Sequence, residues 1–70
     1  MTPGQCRAAR SWLRWSIRYT AKMAGISKNS LVRFEAGENV MHRTVLKLKT
    51  AFEKAGIQFE GNVGVFLRQE

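Results

Sequence analysis

Lys28, Asn29, Val32 and Arg33 fall at positions i, i+1, i+4 and i+5, a spacing that gathers them on one flank of a helix within about 140° of arc. The chemistry of that set is directional. A guanidinium offers paired donors that fit the adjacent O6 and N7 acceptors of guanine, and an amide both donates and accepts, as adenine N6 and N7 require. An ammonium reaches guanine or a phosphate, and an isopropyl group packs on a thymine methyl. The opposite arc holds Ser27, Ser30, Leu31, Phe34 and Glu35, so such a helix would have one flank to anchor it and another to present. The structural alternative for each outward residue is a solvated surface side chain.

A helix used in this way must be held by a second one. The preceding stretch, 17–24, has Ser16 as N-cap and Gly25 past its end, and Ser27 caps the helix 27–36 that Gly37 stops. Two short helices joined by Ala24-Gly25-Ile26 are predicted to cross steeply, with Ala21 at the contact and Ala24, Ile26, Leu31 and Phe34 beneath. The first helix of the pair would lie across a nucleic-acid backbone, so Arg18, Tyr19 and Lys22 are candidate phosphate contacts. Ser27 is a further candidate, because a helix start directs amide N–H groups at an anion. Arg43, at the start of a later helix, is another.

Charge agrees with a polyanionic partner. Among 70 residues, 12 Lys and Arg face 5 Asp and Glu, a formal net charge of +7. Arg7, Arg10, Arg14, Arg18, Lys22, Lys28 and Arg33 all precede the first acid, Glu35, and the remaining acids are Glu38, Glu53, Glu60 and Glu70. Segregated charge steers a polyanion to one surface. An anionic membrane is a poorer match, since the helices have core-type apolar faces rather than a lipid-facing stripe. The longest strictly apolar run is Val65-Phe66-Leu67, so neither a membrane span nor a secretory signal is expected.

Catalysis finds no constellation. His42 is the only histidine, no carboxylate dyad is spaced for acid–base work, and no HExxH, CxxC or phosphate-cradling Gly-rich loop occurs. Cys6 is alone, which excludes an internal disulfide and a Cys-rich zinc site and suits a reducing compartment. On an apolar helical face it reads as buried and inert rather than redox-active. No enzyme activity, metal, cofactor or small-molecule effector is expected.

The remaining elements follow from period and caps. Thr2, Pro3 and Gln5 form a helix start with a capping box, and Cys6, Ala9, Trp12 and Leu13 share an apolar arc with Arg10 at its margin. A fourth helix is predicted over 42–55, with Val45, Leu48, Ala51, Phe52 and Ala55 inward and Leu46 outside that arc. Spacing assigns Trp12, Trp15, Phe34 and Phe52 to the core rather than to base stacking. In the tail, Ile57 and Phe59 alternate with polar residues, as do Val65 and Leu67 with Phe66 and Arg68, around the turn Gly61-Asn62-Val63-Gly64. An isolated hairpin is barely stable, so it needs either the helical body or a second subunit to pack on.

The string Ala21-Lys22-Met23-Ala24-Gly25-Ile26-Ser27, followed by Arg33-Phe34-Glu35-Ala36-Gly37, resembles the helix–turn–helix of the phage-repressor type, the Xre or Cro-like family. The likeness continues through Thr44-Val45, Leu48, Ala51-Phe52-Glu53 and Ala55-Gly56-Ile57, covering about residues 2–59. It implies a mainly α, compact four-helix domain and base contacts from the outward positions of the third helix. It also implies an ion pair between Arg10 and Glu35 that orients that helix. Two departures stand out: Thr20 where the family usually places Leu, and Ile17 where a Gln commonly binds a backbone phosphate.

These readings converge on a helix–turn–helix DNA-binding domain over 1–56 and a C-terminal β-hairpin or dimerisation tail over 57–70. The expected function is sequence-specific binding of double-stranded DNA by a cytoplasmic bacterial or phage transcription regulator, a repressor acting by occupancy as a homodimer. Phe59, Val65 and Leu67 of the tail, with Leu46, are the candidate dimer residues. The alternative is a protein-interaction module, an antitoxin or adaptor, on the same fold.

Overall fold

Thr2 opens helix α1 (Pro3–Leu13) with a reciprocal cap: its Oγ1 accepts from the Gln5 N–H at 3.1 Å, while the Gln5 side-chain oxygen accepts from the Thr2 N–H at 2.9 Å. The computed structural model describes residues 1–68, so Gln69 and Glu70 at the end of the tail lie outside the described residues. Ser16 and Ser27 cap α2 (Ile17–Ala24) and α3 (Lys28–Glu35) through the N–H groups of Tyr19 and Ser30. Between them Gly25 turns the chain at a left-handed φ of 69°, which glycine adopts without steric cost. Helix α4 (His42–Lys54) leads into strands β1 (Ile57–Glu60) and β2 (Gly64–Leu67). The described residues are therefore mainly helical, four helices and one antiparallel hairpin.

The core forms where the helices meet. Phe52, Leu31 and Leu48 are its largest fully buried apolar side chains, and Phe34 anchors the inner flank of α3. Phe52 stacks on Trp15 with ring centroids 5.8 Å apart and meets Phe59 edge-on at 6.1 Å. Thr20, which replaces an expected Leu, is fully buried; its hydroxyl donates to the Ser16 carbonyl at 2.7 Å, so the polar atom is satisfied. Ile17 is half-buried against the core.

The hairpin belongs to the same body. Phe59 pairs with Val65 and Ile57 with Leu67, which puts one apolar face inward. Ile57 is almost fully buried, and Phe59 and Val65 pack on the core. The Gln5 side chain reaches across, its Nε2 donating to the carbonyls of Gly61 and Gly64, each at 3.0 Å. Gly64 is required there, because a Cβ would lie 2.7 Å from the Glu60 carbonyl oxygen. A division at residue 56 thus cuts through the packing, and 57–68 is not a separable tail.

Trp12 departs from its expected place in the core and is 52% exposed. Gln5 lies on nearly the same meridian of α1 two turns earlier, and the hairpin covers that end of the helix. The far end has no such cover. Trp15 is half-buried rather than enclosed.

Candidate nucleic-acid interface

Helix α3 divides as its period requires. Leu31 and Phe34 are buried, whereas Lys28, Asn29, Val32 and Arg33 are all exposed, Val32 by 48%. Arg18 and Lys22 are exposed on α2, and Tyr19 lies with its ring edge-on to Trp15 at 5.1 Å and is 44% exposed. Four cations, one amide and one phenol therefore stand on the outer surfaces of two consecutive helices.

Arg33 has partners within the chain. Its Nε donates to Glu38 Oε1 at 3.2 Å and an Nη donates to the Asn39 carbonyl at 3.3 Å. Pairs this exposed contribute about 0–1 kcal/mol, so the guanidinium is steered rather than locked. Neither partner follows from helical spacing, because the chain has already turned at Gly37, where φ is 87°. Arg33, Asn39 and Met41, with Ser30 and Thr44, line a hollow of about 430 Å³ that links α3 to the start of α4.

The start of α4 differs from the other three. Met41 stands at its N-cap and offers no side-chain acceptor, so the first N–H groups of the helix lack the capping that Thr2, Ser16 and Ser27 provide elsewhere. Arg43, the second residue of the helix, is exposed. Ser27, by contrast, is engaged: its hydroxyl accepts from the Ser30 N–H and donates to Ser30 Oγ at 2.8 Å. Capping is the role its hydroxyl fills.

Behind the outward flank, α1 grips the end of α3. Arg10 binds the Glu35 carboxylate with both Nε and Nη2, and its other Nη donates to the Trp15 carbonyl at 3.1 Å. Arg7 donates to the Glu35 backbone carbonyl, and the buried Cys6 thiol donates to Glu35 Oε2 at 3.2 Å. Burial, the Glu35 hydrogen bond and the neighbouring carboxylate all push the Cys6 thiol far above its ordinary pKa, so it stays protonated. The hydrogen bond to Glu35 outweighs burial at Arg10 and raises its pKa. The grip of Arg7 and Cys6 escapes a wheel analysis, since neither the helix end nor the thiol has a sequence signature.

The expected dimer residues divide. Phe59 and Val65 face the helical body of their own chain, whereas Leu67 is 41% exposed and Phe66, on the outer face, is 48% exposed. Leu46 is exposed but lines a groove between α2 and α4 that no hairpin residue borders. Among the described residues, no helix is long and apolar enough to cross a membrane, and no three His, Cys, Asp or Glu side chains cluster as metal ligands. The sequence matches no protein-family model and no curated protein.

Proposed function

We propose that this protein binds duplex DNA sequence-specifically and regulates transcription in the manner of phage-type repressors. The observation that carries the reading is the two-sided α3, with Leu31 and Phe34 buried and Lys28, Asn29, Val32 and Arg33 exposed on the opposite flank. In the bound state that flank reads base edges in the major groove. Arg18, Tyr19 and Lys22 of α2 and Arg43 with the uncapped start of α4 hold phosphates on either side. The Arg10–Glu35 pair fixes α3 against the body so that its donors meet the bases in register.

A module this small reads few base pairs, and pairing two copies doubles the sequence read. The exposed Phe66, on the outer face of the hairpin, forms the dimer surface in this reading, in place of the inward Phe59 and Val65. Selection of bound oligonucleotides from a random duplex pool tests the proposal. A short inverted repeat with half-sites about 34 Å apart is the expected product. Failure to enrich any motif, together with loss of binding under competitor DNA, would replace it with an adaptor or an unspecific architectural role.

A further inference from the structure

Helix α4 carries a stripe of which the nucleic-acid face uses only the first residue, Arg43. Arg43, Leu46, Lys47, Thr50 and Lys54 recur at the spacing of one helical face, and Met23 of α2 stands across from them over a groove of about 390 Å³. Met23 and Leu46 are 50% and 48% exposed, so the groove presents uncovered apolar surface. Every charged group lining it is a cation, and they are spread along about three turns of α4.

We propose that the α2–α4 groove docks an amphipathic helix of a partner protein, one whose apolar stripe is flanked by Asp and Glu. A trough between two helices accepts a third by its i, i+3, i+4 and i+7 anchors. Met23 and Leu46 receive those anchors, while Arg43, Lys47 and Lys54 select acidic flanks. A nucleic-acid backbone would satisfy the cations but brings no apolar surface to Met23 and Leu46. A second copy of this chain is also a poor occupant, because groove against groove would oppose like charges. The proposal does not rest on the DNA reading.

The test titrates the isotope-labelled full chain with a helical peptide of about five turns, its leucines on one face and glutamates beside them. Saturable shifts of the Met23, Leu46, Lys47 and Thr50 amides are expected. Leu46→Ser and Lys47→Glu should each weaken binding about tenfold; both positions are exposed, and unchanged circular dichroism verifies that the fold survives. Replacing the peptide glutamates by lysines should abolish binding. Absent saturation, equal affinity for a peptide with scattered leucines, or shifts spread over the cations of α1 and α3 would overturn the proposal. So would concentration-dependent shifts of the same amides without peptide, which would assign the groove to a second copy.

Discussion

Arg10 of α1 and Glu35 of α3 are joined by two parallel hydrogen bonds, 2.6 Å from Nε and 2.8 Å from Nη2. The fork geometry fixes direction as well as distance. Glu35 is the last residue of α3, so the bond sets the angle at which the whole outward flank stands from the body. Only 9% of the Glu35 side chain is exposed, and Cys6 and Arg10 supply hydrogen bonds to its oxygens.

Removing one partner should therefore cost more than the pair is worth. Arg10→Met leaves a buried carboxylate without its main donor, and a loss of roughly 2–3 kcal/mol is expected, below the range for wholly enclosed pairs because Arg10 keeps some water contact. Arg10→Met with Glu35→Met should recover most of the loss. Urea midpoints of the three proteins measure this, and a single variant as stable as the parent would show that the pair does not hold α3.

Acid should act through the same carboxylate. Burial alone would raise the Glu35 pKa, but hydrogen bonds from Arg10 and Cys6 and the charges of Arg10 and Arg7 outweigh it and hold the group below the ordinary carboxylate range. The unfolded chain then binds more protons at this site than the folded one, so stability falls as pH drops. The contribution is fully present above an unfolded glutamate value of about 4.3 and is lost as pH falls through the folded value. Glu35→Gln should flatten the decline of the urea midpoint in that acid window. Parallel curves for parent and variant would disprove the linkage.

Gln5 should be worth more than a cap residue ordinarily is. Gln5→Ala removes two donors from the Gly61 and Gly64 carbonyls as well as one half of the capping box, for an expected loss of about 2–3 kcal/mol. Gln5→Glu should be worse still, since it turns a carboxylate oxygen toward those carbonyls. Amide exchange would locate the damage: the hairpin amides should open before those of α3 and α4. Uniform protection loss would mean that Gln5 acts only through α1.

Gln5 also marks the limit of what the sequence discloses. Its half of the capping box lies three residues from Thr2 and is visible as a local pattern, as are the serine caps and the two flanks of α3. The hairpin contacts lie 56 and 59 residues away and have no periodic trace. The same physics misplaced Trp12: a wheel registers which residues share a meridian of α1, but not that the hairpin covers only the Gln5 end of it. Arg33 meets Glu38 for a related reason, because a chain reversal at Gly37 resets the helical count. Interactions set by repeat or by a nearest cap were legible, and those made when two distant elements close on one another were not.

The outward flank and the crossing helix should separate under mutation. Arg33→Ala removes a paired donor and is expected to weaken the selected site by ~1–3 kcal/mol, much more than it weakens random duplex. Arg18→Ala should weaken both about equally and lower the slope of log K against log salt by about one phosphate equivalent. Glu38→Gln frees the Arg33 guanidinium and takes an acid away from the phosphates, so affinity for either duplex should rise several-fold. Titrations of each variant against both duplexes at two salt concentrations distinguish these effects. Equal losses from Arg33→Ala and Arg18→Ala would remove α3 from base reading, because a residue that touches only phosphates cannot tell one sequence from another.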